Sequence, residues 1–330
     1  MQQRDCEVEA VMIKIIDSTL SKLDRFHVSK EQLLLFCEYM KQIGIENLEI
    51  SINSYKKMET LPGGIKFYLE VGPFDKTCDY PGIYKYVIAR ENRESNIVSE
   101  FQINDVRELV LLKSYSTLSN VRIRGLDDLI CHDYEYAFYE IKKIFSNSII
   151  NLCPENSFYC ATAIAVLWLI SGGLEVTTSF TGCGNMAATE EVCMAMRVIE
   201  RVKPNQKLEA LIGLREWYET VTGEQISPRK PVIGSKIFFV ESGIHVDGIL
   251  KKASNYEAYS PSIVGQKSTI IIGKYSGRNS IKSKCKDYGI ENDSLIPIIL
   301  DEVKRVSTEN RNSLTDEEFL ALVKRVIADG

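Results

Sequence analysis

Apolar and polar positions along this 330-residue chain alternate in short β-branched runs and helical-period stretches. A run from Ile13 to Ile16 leads into Asp17-Ser18-Thr19-Leu20. Ser29-Lys30-Glu31-Gln32 is an S-x-x-Q capping box that opens a helix to about Ile43, where Gly44 stops it. Ile45 to Ile52 forms the next β-branched stretch, so the opening predicts strand, helix, strand with a parallel crossover. Candidate strands at Ile65 to Val71, Ile83 to Ala89 and Ile97 to Phe101 follow through connections too short for full helices. If the sheet closes into a barrel, two crossover helices are missing or stunted.

Regular alternation then resumes. The pattern predicts a helix over Asn104 to Ser116, a strand over Val121 to Arg124, a helix over Tyr134 to Phe145, a strand over Ser148 to Leu152 and a helix over Tyr159 to Ile170. A strand over Glu175 to Phe180 and a helix over Ala187 to Val202 complete the repeats, which favour a (β/α)8 barrel over an open doubly wound sheet. After Pro204 come a helix from Gln206 to Val221 and a Pro/Gly/Ser-rich tract, TGEQISPRKPVIGS, that reads as a linker. The expected division is a barrel domain over 1–222 and C-terminal α+β subdomains over 223–330. Two helices end the chain, Asp293 to Val306 and Thr315 to Ala328, the second with a T-x-x-E box at Thr315 and Glu318.

Charge and composition narrow the function. The net charge is −5 and no Lys/Arg run is interleaved with aromatics, which argues against a nucleic-acid partner. The start, MQQRDCEVEA, lacks a signal-peptide core, and the apolar run around Ala161 to Ile170 is too short to span a bilayer. A cytoplasmic protein without a membrane partner is expected. The nine cysteines, Cys6 among them, are odd in number with no C-x-x-C pair, which argues against a disulfide framework and a zinc ribbon.

The segment VESGIHVDGILKKASNYEAYSPSIVG, with IIGKYSGRNS after it, resembles the linker region of the homocitrate synthase and 2-isopropylmalate synthase family, most closely the nitrogen-fixation type of homocitrate synthase. DSTL sits where that family has D-T-T-L-R-D-G. Cys160-Ala161-Thr162-Ala163 is in register with the helix after its H-x-H, and Gly182-Cys183-Gly184 with Ala187 to Val192 resembles its last barrel unit. The resemblance implies a (β/α)8 barrel followed by linker subdomains, in a homodimer or a heteromer with a catalytic homocitrate synthase-type subunit. The implied chemistry is an acyl transfer in which the acetyl-CoA enolate attacks a 2-oxo acid, 2-oxoglutarate foremost, polarised by Mg, Mn or Zn.

The chain departs from that pattern where the metal would be held. Ser21 stands at the family's arginine, and Lys22 at its liganding aspartate. Cys153 and Glu155 stand at the H-x-H positions. Only His27, His132 and His245 exist, none paired at ligand spacing. A divalent metal is therefore not expected in this chain's own barrel, although Cys153, Glu155 and Cys183 form an alternative donor set, with Lys22 in the same mouth working against it. Asn185 stands near the family's supporting asparagine and is the candidate substrate-binding residue. His245 and Tyr256 match the histidine and tyrosine that the family's linker places over a partner's active site, so they are the candidate catalytic residues, acting in trans. The turn Gly273 to Arg278 reads either as an anion site or as a simple joint. Three readings stay open: a subunit completing a catalytic chain, an acyltransferase with a rearranged site, and a catalytically inactive member with a regulatory or binding role.

Overall fold

The computed structural model describes residues 13–199 and 207–329. Cys6, the end of the helix expected to reach Val202 and the start of the one expected from Gln206 lie outside them. The described residues divide into two compact units, one up to Ile226 and one from Ser227.

In the first unit eight parallel strands close into a barrel: β1 Lys14–Asp17, β2 Asn47–Ile50, β3 Lys66–Glu70, β4 Lys85–Ile88, β5 Ile97–Ile103, β6 Asn120–Gly125, β7 Ile149–Pro154 and β8 Glu175–Thr178. Closure is made by β8 against β1, with Lys14 opposite Glu175 and Asp17 opposite Thr178. The helices are α1 Thr19–Lys22, a single turn, α2 Lys30–Gln42, α3 Ile52–Met58, α4 Tyr134–Ile144, α5 Ala161–Ile170, α6 Thr189–Ile199 and α7 Ala210–Thr222. Ser29 and Gln32 form the expected reciprocal cap on α2. The connection from β3 to β4 carries only a 3-10 turn, Thr77–Asp79, and that from β4 to β5 has no helix, as the short spacings predict.

Residues 106–115, expected as an α-helix, form a 3-10 stretch. Only Leu109 and Leu112 are buried there, three residues apart, so one narrow stripe meets the barrel and Val110 and Leu111 face out. The outer core lies between β5 to β8 and their helices, where Phe138 on α4 meets Trp168 on α5 edge to face at 5.2 Å. α5 is apolar all round and correspondingly buried. No described helix is long and apolar enough to cross a membrane.

Barrel interiors are normally filled by layers of branched aliphatic side chains. Here a small apolar cluster of Ile16, Tyr68, Val87 and Val98 shares the barrel with buried charged side chains, among them Glu49, Lys85, Arg122 and Glu175.

The second unit holds a two-stranded parallel sheet, β9 Phe239–Val240 with β10 Thr269–Ile270, and helices α8 Gly243–Lys252, α9 Arg278–Asp287, α10 Ile296–Asn310 and α11 Asp316–Asp329. Its core is separate and includes Ile281, Ile299, Val303, Phe319 and Val323. Thr315 and Glu318 cap α11 reciprocally.

Candidate functional site

Side chains two apart on a strand share a face, so the charges at alternate positions of β5, β6 and the end of β7 converge on the interior and its carboxyl-end mouth. Glu49 on β2 receives Arg122 from β6, on the far side of the barrel, at 2.5 Å, with both side chains 2% exposed. Arg122 lies 3.3 Å from Glu100, which is 3.7 Å from Arg124, and Arg124 meets Glu155 at 2.7 Å. Lys22 ends α1 with its Nζ 3.1 Å from Glu70 and 3.8 Å from Glu49. Ser21 donates to Glu49 and to the Ser18 carbonyl. Three cations and four carboxylates thus form one connected chain of ion pairs across the mouth.

Burial would push the Glu49 carboxyl up, but Arg122 and then Lys22 outweigh it and hold it below the usual range. Burial likewise opposes the Lys22 charge, and Glu49 and Glu70 together hold its ammonium above the ordinary lysine range. Lys22 therefore stays protonated, which removes it as an amine nucleophile. Its stem packs against the loop after β8, where a Cβ on Gly184 would come within 3.0 Å of Lys22 Cγ.

Cys153 is buried beside this network, its thiol pushed up to about 12 by desolvation. Burial does the same to the Cys183 thiol, also to about 12. The Glu155 carboxylate is taken by Arg124 and by Gln102, which donates at 3.0 Å. Asn185 is exposed, in a left-handed conformation at φ 62°, and donates to Ser157 at 3.3 Å, so it ties the loop after β8 to the loop after β7. Among the described residues no group of three or more His, Cys, Asp or Glu side chains is placed to hold a metal ion. The donor chemistry does not fit a divalent cation either: the Lys22 ammonium sits in the mouth, and the nearby carboxylates are already paired with it and with guanidinium groups. Beside the mouth, a cleft of about 730 Å³ is lined by residues that include Ser21, Asp24, Ser51, Glu70 and Arg90.

The second unit brings His245 and Tyr256 together. His245 lies in the first turn of α8, and a 3-10 turn at Ala253–Asn255 folds the chain back so that the two rings are 5.8 Å apart at 60°. Both residues are exposed, as are Ile244 at 78% and Tyr275 at 69%. The turn Gly273 to Arg278 serves as a joint. Glu241 accepts from the Tyr275 amide at 3.0 Å and from Ser313 Oγ at 3.1 Å, so a carboxylate of the chain itself fills that turn.

Reading by element did not find the ion-pair chain, because Glu49 and Arg122 are 73 residues apart. The available signal was charge at alternate positions inside strand runs, as in Val121-Arg122-Ile123-Arg124 and Ser99-Glu100-Phe101-Gln102.

Residues 232–311 match the family model described as "Homocitrate synthase post-HMGL domain-like". Over 96% of its length the chain is 26% identical to "Homocitrate synthase, omega subunit" of Clostridium pasteurianum, covering 97% of that protein. It is 35% identical over 179 residues to "Homocitrate synthase 1" of Nostoc sp. and 31% identical over 199 residues to "2-isopropylmalate synthase 2" of Caldanaerobacter subterraneus; these matches span 48% and 52% of those relatives. The barrel is similar to the solved hydroxymethylglutaryl-CoA lyases of Pseudomonas aeruginosa, with a TM-score of 0.51 at 10% identity over 65% of this chain and 94% of that one, and of Bacillus subtilis, at 0.50 and 15% over 66% and 95%. At those identities the likeness carries the fold alone. A closed eight-stranded barrel, the family-model match over residues 232–311, a relative 26% identical over 96% of the chain and synthases 32% and 35% identical over 58% and 53% of it make the chain similar to the homocitrate synthase and 2-isopropylmalate synthase family.

Proposed function

We propose that this chain is a subunit of a homocitrate synthase-type acyltransferase, presenting His245 and Tyr256 to the barrel of a separate catalytic chain. In this reading the catalytic chain holds the divalent metal and condenses acetyl-CoA with a 2-oxo acid, 2-oxoglutarate foremost. The observation that carries the proposal is a contrast within one chain. The position that the resemblance gives to a metal ligand in the barrel is held by the Lys22 ammonium in a network of paired charges, whereas the linker keeps an imidazole and a phenol side by side and open to solvent. Those two groups can give and accept a proton at a reacting centre, which is the work the condensation asks of residues placed over it. The flanking Ile244 and Tyr275 offer apolar surface for docking around them. The name "omega subunit" carried by the Clostridium relative supports a multi-chain assembly.

The test is release of free CoA from acetyl-CoA and 2-oxoglutarate in the presence of a divalent metal. It is run on the purified chain, on an intact homocitrate synthase-type subunit, and on their mixture. The expected result is no turnover by the chain alone, a gain in the mixture, and loss of that gain by about a hundredfold or more with His245→Ala, the range for removing a positioned acid or base. Turnover by the chain alone would overturn the proposal. A mixture no faster than the catalytic subunit alone would also overturn it and leave the non-catalytic binding role.

A further inference from the structure

Glycine inside a helix is a destabilising choice, because it gives up backbone freedom and offers no side chain to pack. Gly248 is nevertheless near the middle of α8, three residues after His245 and therefore on the same face. The reason lies in what covers it. A Cβ built on Gly248 would come within 2.1 Å of Tyr256 Cζ, 2.2 Å of Cε2 and 2.6 Å of the hydroxyl oxygen. No side chain fits between the helix backbone and the ring, and the bare backbone is the surface on which the phenol rests beside the imidazole. The helix itself is anchored elsewhere. Gly243 packs on Gly277 so closely that a Cβ would meet its Cα and N at 2.7 Å, and Asp247 accepts from Asn279 Nδ2 at 2.8 Å.

We infer that Gly248 is a positioning residue: it seats Tyr256 against α8 at the distance from His245 that the pair needs to act on one reacting centre. The inference rests on the proposed role of that pair, and it predicts an unusual separation of stability from activity. In Gly248→Ala the clashing atoms are the far end of a half-exposed side chain, so the ring swings out while the helix gains a better helix former. A merely structural glycine would behave in the opposite way, with the protein losing stability.

The experiment uses the full chain, with Gly248→Ala, Tyr256→Phe and His245→Ala compared in parallel. Two-dimensional NMR reads the nuclear Overhauser contact between the imidazole and phenol rings, thermal melting reads the fold, and the mixture with the catalytic subunit reads kcat and KM. Gly248→Ala is expected to melt at or above the wild-type temperature and to lose the ring-to-ring contact. It is further expected to lower the kcat of the mixture by about a hundredfold, the effect of an ångström-scale misplacement, with little change in KM. Persistence of the ring contact in Gly248→Ala overturns the inference, as does a normal kcat in that variant when Tyr256→Phe is impaired. If neither His245→Ala nor Tyr256→Phe changes the mixture, the trans role fails instead, and the NMR contact alone then decides whether Gly248 seats the ring.

Discussion

Asp17 closes β1 with its carboxylate wholly buried. One oxygen accepts from the Thr19 amide at 2.9 Å and the other from the Thr189 hydroxyl. Those bonds favour the charged form, but burial outweighs them and pushes the group up to about 6 from an ordinary 3.8. Between about pH 4 and pH 6 the folded carboxyl holds its proton while the unfolded one has lost it, so stability falls as pH rises through that window and is level above it. The size is about 3 kcal/mol, from roughly 2 pKa units at about 1.4 kcal/mol each. Asn fits the same site, because its oxygen still accepts from Thr19 and its amide can donate to the Thr189 hydroxyl. Urea unfolding of wild type and Asp17→Asn at half-unit steps from pH 4 to 7 is expected to give curves that separate across this window, with the variant missing the wild-type decline. Parallel curves would show that Asp17 ionises normally in the fold. The Lys22 and Glu49 shifts have the opposite consequence. Their charged forms are favoured in the fold, so the ion-pair chain stabilises throughout the neutral range and is lost only as pH falls through the lowered Glu49 value or rises through the raised Lys22 value.

At the scale of the elements, the end of β7 and the turn after β1 both reach the carboxyl-end mouth of the barrel. Cys153 and Glu155 are two apart at the end of β7 and both meet the interior cations: Arg122 and Arg124 act on the Cys153 thiol, and Arg124 pairs with Glu155. Lys22 reaches the same mouth from α1. Converting Lys22→Asp, Cys153→His and Glu155→His together puts two imidazoles and a carboxylate at those positions and removes the ammonium. Calorimetric titration of the triple variant with Zn²⁺ is expected to saturate near one ion per chain, with stability raised by about 2.7 kcal/mol at a hundredfold excess over Kd. Wild type should show neither effect, and a silent triple variant would mean that the strand ends are not in ligand geometry. Much of this scaffold was legible in the sequence. The caps at Ser29/Gln32 and Thr315/Glu318, the stunted middle connections and the strand runs are local signals, carried by neighbours a few residues apart. The helix α8 was not legible, because Gly243 and Gly248 lower its helix propensity and packing against Gly277 and Tyr256 is what explains them. The mouth was half legible. The unusual residues Lys22, Cys153 and Glu155 could be read in the sequence, but the carboxylates that pair with Lys22 come from β2 and β3 and are brought to it by the parallel pairing of β1, β2 and β3.

At the scale of the whole molecule, the two units have separate cores and unequal optical signatures. The chain has two tryptophans, Trp168 and Trp217, and both lie in the barrel unit, Trp168 in its outer core and Trp217 against Phe36 at 4.6 Å. Residues 227–330 contain none, so tryptophan emission reports the barrel alone while far-UV circular dichroism reports both units. Arg122 is the place to separate them. Replacing it by Met leaves Glu49 and Glu100 inside the barrel without their guanidinium, and breaking one side of a buried ion pair in this way costs about 3–5 kcal/mol. The expected outcome in a urea titration of Arg122→Met is an emission transition moved to clearly lower denaturant, with circular dichroism resolving into two steps. The first step follows the emission, and the second stays at the wild-type midpoint, because the core around Ile281, Val303 and Phe319 contains none of the altered contacts. If the circular dichroism collapses in a single step with the emission, the units unfold as one cooperative body, and damage inside the barrel would reach His245 and Tyr256. Two steps would instead mean that the surface carrying His245 and Tyr256 keeps its form whatever happens inside the barrel.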